Sequence, residues 1–190
     1  MSRAILGLDP GMDGAAVLLR PGDAQRLARP AGTPGMVIYP EPVLFRDYTI
    51  PAPSRGKQWD HGRLFTAFFA ISAKLPMDEP ITVVLESPRA QPGAASSSLS
   101  IGVSYGILLG MIAALGWELV RVQPSVWHRA LFGKNAAGDP KARAAAYVRD
   151  RLPQLDTTCL GRFKKPHGGV IDAACLALYG REKVGGTDAS

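Results

Sequence analysis

A chain of 190 residues with 46% hydrophobic content can bury one sizeable core. Its two cysteines, Cys159 and Cys175, exclude a disulfide framework, and the lack of a CxxC pair excludes a zinc site of the usual spacing. The net charge of +6 is carried by one end: residues 1–120 hold 10 Lys/Arg against 10 Asp/Glu, residues 121–190 hold 12 against 6. Such one-sided basic charge suits a polyanion such as nucleic acid, and it also suits ordinary solubility. A reducing compartment fits the cysteine usage, and no signal peptide is expected at the N-terminus.

In chain order, residues 5–19 read as strand, tight turn, strand, with a Pro/Gly/Asp cluster between two apolar runs. Asp9 ends the first run. A carboxylate there is costly unless it is paired, which a divalent cation would do. The plain alternative is that Asp9 starts the turn and bonds its own backbone. Asp13 suits the same turn. Residues 20–35 read as a loop or insertion, and 36–39 and 43–50 as short strands kept at an edge by Pro40 and Pro42. Residues 51–56 read as a loop. Asp60 suits a helix N-cap, followed by a stripe of Leu64, Phe65, Phe68, Phe69, Ala70, Ile71 and Leu75. His61 is given a surface role.

Residues 81–85 form a continuous apolar, β-branched run, the pattern of a strand buried on both faces. It ends at Glu86, and ligand sites in open α/β sheets gather at such strand ends. Two carboxylates ending buried strands repel unless a cation lies between them. A loop over 87–98 carries Arg89 and Gln91. A long apolar helix is expected over 99–115, interrupted by Ser100, Ser104 and Tyr105 and unsuited to spanning a membrane. Gly102, Gly106 and Gly110 share one of its faces, which implies close packing against the sheet or a second subunit. A strand follows over 117–122, a short helix from Pro124 through Phe132, a loop over 134–139, and a helix over 140–152. Arg162, Lys164, Lys165 and His167 make a basic loop. In the last helix Ile171, Ala174, Cys175, Leu178 and Tyr179 pack inward, and Gly180 is expected to end it. Asp172, expected in its first turn, is either a helix-dipole acid or a third metal-facing carboxylate. Residues 184–190 read as a flexible tail.

Taken together, the order of these features resembles the RuvC-type Holliday junction resolvases of the RNase H-like superfamily, nearest the plastid and phage branches. The resemblance rests on Asp9-Pro10-Gly11, Glu86, Tyr105-Gly-Ile-Leu-Leu-Gly, Gln123-Pro-Ser-Val-Trp-His, and Lys164-Lys-Pro-His-Gly followed by Asp172-Ala-Ala. It spans nearly the whole chain. The first of these motifs is also similar to the opening strand of actin-like phosphotransferases, but no second phosphate-binding loop follows.

The resemblance implies an α/β, RNase H-like fold: a central five-stranded mixed sheet with helices on both faces, in one nuclease domain over residues 1–183. It implies a homodimer that cuts four-way DNA junctions symmetrically with Mg²⁺ or Mn²⁺, two ions per site. Asp9, Glu86, His167 and Asp172 would be the catalytic and metal-binding set. Lys134, Lys141, Arg143, Arg162, Lys164 and Lys165 would contact phosphates, and Arg89 and Gln91 the junction core and its base edges. His167 precedes Asp172 by five residues, a longer spacing than in the family, so a residue must loop out or the helix start must shift. A related nuclease on other branched DNA or on RNA, and a junction-binding protein without cleavage, are the rival functions. A bacterial or phage cytoplasm or nucleoid, or an organelle, would be the setting.

Overall fold

The structure, a computed structural model, describes residues 3–21, 36–38, 42–51, 57–73, 75–76, 79–88, 95–134, 136–158 and 166–184. β1 (Ala4–Leu8) and β2 (Ala15–Pro21) form the expected hairpin, with Ile5 opposite Leu19 and Leu8 opposite Ala16. β3 (Met36–Ile38) and β4 (Val43–Leu44) both pair with β2, so they are two segments of one edge position. The strand expected over 43–50 is broken. Phe45 turns into the core at 0% exposure and packs edge-on against Trp59, with ring centroids 5.3 Å apart. That inward step makes residues Phe45–Tyr48 a 3₁₀ turn. The chain then resumes as β5 (Thr49–Pro51), paired with β6 (Lys57–Trp59) in a separate ribbon. β6 had no signal in the sequence, because Lys57 and Gln58 give it no apolar alternation.

β7 (Ile81–Glu86) runs parallel to β1, and β8 (Glu118–Val122) parallel to β7. The order is therefore β3-β2-β1-β7-β8, with β4 beside β3 on β2: a mixed sheet of five strand positions. Arg3 bonds Thr82 Oγ1 (3.0 Å) and pairs with Glu118, which ties three strands together at the end where β1, β7 and β8 begin.

Helices cover both faces. One layer holds α1 (His61–Ala73) and α2 (Ala95–Ala114). Asp60 caps α1, accepting from the Arg63 N–H at 3.1 Å. Leu64, Phe68 and Ile71 are buried, but Phe69 is 57% exposed and Ala70 also faces out. Neighbouring residues lie about 100° apart on a helix, and on α1 that step from the buried Phe68 carries Phe69 out to solvent. α2 starts earlier than expected, since no Pro or Gly stands between Gly93 and Gly102. Among the described residues no helix is long and apolar enough to cross a membrane.

The other layer holds α3 (Pro124–Phe132), α4 (Pro140–Arg151) and α5 (Gly168–Val184). α5 lies directly on β1. A Cβ added to Gly7 would stand 2.0 Å from the Ala173 carbonyl oxygen and 2.6 Å from the Ala177 nitrogen. Gly180 belongs to the same contact: a Cβ there would meet Val84 Cγ2 at 2.4 Å and Ile5 Cγ2 at 2.8 Å. It is therefore a packing residue, and the helix expected to end there continues to Val184. Val184, the first residue of the expected tail, belongs to this helix, and 185–190 lie outside the described residues.

Gly7→Ala forces helix and strand apart. Overpacking of this kind costs about 1–3 kcal/mol, to be read as a lower urea midpoint at unchanged slope.

Candidate active site

The two-residue period of a strand decides which side chains share a face. Ile5 and Val84 face α5, while Leu6, Leu8, Val83 and Leu85 face the α1–α2 layer. Asp9 and Glu86 therefore belong to the α5 face. The parallel register pairs Leu8 with Leu85, so one further step sets Asp9 beside Glu86. On α5 Ala173, Ala177 and Gly180 face the sheet, and Gly169 faces the hairpin turn. Asp172, one residue before Ala173, lies within reach of the charges of Asp9 and Glu86. Three acids from three elements converge there.

Each is held differently. Asp9 accepts from the Gly11 N–H at 3.2 Å, the turn bond anticipated as its plain role. Burial raises its pKa, and that bond works in the opposite direction. Glu86 Oε2 accepts from the indole N–H of Trp127 at 2.7 Å. Asp172 is pushed up to about 7, first by burial, then by the charges of Asp9 and Glu86, with Lys141 opposing. The sequence left open whether Asp172 is only a helix-dipole acid. Its helix starts at Gly168, so it lies beyond the first residues of α5 and feels the other two carboxylates.

His167 is set otherwise. Its backbone N–H donates to the Thr157 carbonyl at 2.7 Å, and the Val170 N–H donates to its Nδ1 at 3.3 Å. The ring therefore caps α5, and in its neutral form the proton sits on Nε2. Its pKa is lowered by burial and Arg46, with Asp13 and Asp47 opposing. Coordination through Nε2 needs that nitrogen's lone pair, which moves the proton to Nδ1 and breaks the cap. The helix begins at Gly168, directly after His167, so no residue between His167 and Asp172 loops out. Gly169 is already helical and sits so close to the hairpin turn that a Cβ would stand 2.4 Å from the Asp13 carbonyl oxygen.

The proposed DNA contacts divide. Lys141 follows the α4 cap, where Asp139 accepts from the Lys141 and Ala142 N–H groups at 3.3 and 3.1 Å. It is exposed and its charge reaches Asp172, a proximity the sequence did not show. Lys134 is exposed. Arg143 is half-buried, donates to the Ala137 carbonyl at 3.2 Å and lies over the Phe132 ring at 5.4 Å. Arg89, Gln91, Arg162, Lys164 and Lys165 lie outside the described residues. The Trp127–Glu86 bond was also missed; its only trace in the sequence is a tryptophan five residues after the strand that pairs with β7.

No protein-family model matches the chain, and no curated protein matches it. Solved structures do, among them two of RuvC. One is Thermus thermophilus RuvC, 19% identical, with 96% of each chain covered and a TM-score of 0.56. The fold is the RNase H-like fold of RuvC. The other is T. thermophilus RuvC in complex with a Holliday junction substrate, 18% identical, covering 93% of this chain and 92% of that one, with a TM-score of 0.54. The RuvC likeness is one of fold: the mixed sheet and its helical layers.

The donor set suits a hard divalent cation, because three carboxylates repel one another with Lys141 as the opposing charge. Among the described residues no three His, Cys, Asp or Glu side chains are grouped so as to hold a metal ion as they stand. Mg²⁺ does not require such a group, since it keeps several waters and takes one or two carboxylates.

A buried acid with a raised pKa binds its proton more tightly when folded. It favours the folded state least above that pKa. The metal-free protein should therefore lose stability as pH rises from 3.8 to about 7. Asp172→Asn should flatten that part of a Tm-against-pH curve, and added Mg²⁺ should restore stability at pH 7 in the wild type alone.

Proposed function

We propose that this chain is a divalent-metal-dependent endonuclease that resolves four-way DNA junctions, making paired symmetric incisions as a homodimer. The observation that carries the reading is the convergence of Asp9, Glu86 and Asp172 at one end of a RuvC-type sheet. The junction substrate of the T. thermophilus RuvC complex supports the substrate class. The motifs at residues 123–128 and 164–168 support a place near the plastid and phage branches.

Asp9, Glu86 and Asp172 would hold Mg²⁺ or Mn²⁺. Two bound ions would activate the attacking water and stabilise the leaving 3′-oxygen. The chain's own groups prepare that step. The turn amide of Gly11 fixes Asp9. Asp172 holds its proton up to about pH 7 and would release it to water when a cation binds beside it. Lys141 brings an exposed ammonium to the same place, suited to a non-bridging phosphate oxygen. His167, capping through Nδ1, has its Nε2–H to donate to a phosphate oxygen or a water. Lys134, Arg162, Lys164 and Lys165 would contact further phosphates, and Arg89 and Gln91 the junction core.

Incubation of a synthetic immobile four-way junction, a linear duplex and a three-way branch with Mg²⁺ or Mn²⁺ tests the reading. Paired nicks on the four-way junction alone are expected, with a loss of at least about 10²-fold in Asp9→Asn and Asp172→Asn. Equal cutting of all three substrates points to a general nuclease. Tight binding without cutting points to a junction-binding protein.

The dimer rests on α2. Its residues Ala95–Ala114 include no charged side chain. Ile101 and Val103 are 41% and 55% exposed, and Gly102, Gly106 and Gly110 have nothing within 4 Å of an added Cβ. The sheet is thus not what these glycines face, and we assign the face to a second copy. Sedimentation equilibrium at micromolar concentration should show a dimer, and Val103→Lys a monomer with unchanged helix content.

A further inference from the structure

We propose that Trp127 is a positioning residue for Glu86, holding its carboxylate in the orientation that receives the metal; the inference rests on the metal-centre reading above. Glu86 is the longest of the three acids and has the most torsions to fix. Its backbone is tied to β8: Glu86 stands opposite Val122, and the Ser87 N–H donates to the Val122 carbonyl at 2.8 Å. α3 starts two residues after Val122 and brings Trp127 back over the same strand end. The indole N–H then donates to Glu86 Oε2 at 2.7 Å. Backbone and side chain of Glu86 are thereby fastened to one corner.

Trp127 is itself immobile. It is 1% exposed, stacked on His128 with centroids 3.9 Å apart and set edge-on to Phe132 at 6.3 Å. A neutral donor suits the task. An Arg or Lys would orient the carboxylate equally well but would cancel the charge a cation needs. An indole orients it and leaves the charge in place. Partners of this kind set the geometry and basicity of metal ligands.

The test uses the full chain with Mn²⁺ alone as probe. The three tryptophans give three indole N–H signals in a ¹H–¹⁵N spectrum. The signal missing from Trp127→Phe should move in Glu86→Gln. Mn²⁺ should broaden it before those of Trp59 and Trp117, which pack in the opposite layer. Trp127→Phe should weaken Mn²⁺ binding by about 10- to 100-fold. Junction affinity without metal should stay unchanged, and cutting should return at raised Mn²⁺. Wild-type-like Mn²⁺ binding in Trp127→Phe overturns the proposal, as does an unmoved indole signal in Glu86→Gln. If the wild type binds no Mn²⁺, the metal-centre reading falls and takes this inference with it. If Trp127→Phe does not fold, the Glu86→Gln shift and the wild-type broadening decide.

Discussion

The molecule depends on how closely α5 lies on β1. That approach is possible only because Gly7 offers no Cβ where Ala173 and Ala177 press against it, and because Gly169 and Gly180 extend the same bare stripe along the helix. Small residues give up side-chain burial, so the contact gains little hydrophobic energy for its length. What it supplies is position. A helix held against the backbone of the central strand sets the height of Asp172 above the sheet end to within the tolerance of van der Waals contact. Larger residues would have given more burial and a site too open for the acids to feel one another.

The electrostatics follow from that placement. Burial and mutual repulsion raise the proton affinity of Asp172, and the protein carries this unfavourable arrangement because the surrounding core over-determines it. The neighbouring devices are all of modest strength and local: a turn amide for Asp9, an indole for Glu86, a capped α4 for Lys141. None neutralises the acids outright. Asp172 still feels the other two acids through them, and a bound cation would relieve that repulsion.

Much of this was legible in the sequence, for reasons of period and position. Acids ending apolar runs, as Asp9 and Glu86 do, are conspicuous because strand interiors exclude them. The mixed sheet and its helical layers were implied by the family resemblance that the order of such runs and motifs carries. Contacts between elements distant in sequence were not legible. Nothing in the chain announces that Trp127 reaches Glu86, or that Arg46 and Asp47 approach His167, because these are consequences of crossing angles rather than of spacing. Phe69 and Gly180 erred in opposite senses. An aromatic residue beside a core position reads as core when helical phase is ignored. A glycine near the end of an apolar stripe reads as a stop when it is in fact the point of closest approach.

The bare stripe on α5 also governs where the length of this chain could vary. Helix residues advance by about 100° each, so one residue inserted between Gly169 and Gly180 would rotate every later position out of phase and drive a side chain into β1. The hairpin turn, pressed against Gly169 by its Asp13 carbonyl, closes off the same freedom on the strand side. Extra residues have one harmless place to go: upstream of Gly168, where they change how the chain arrives at the site without disturbing what the helix carries into it.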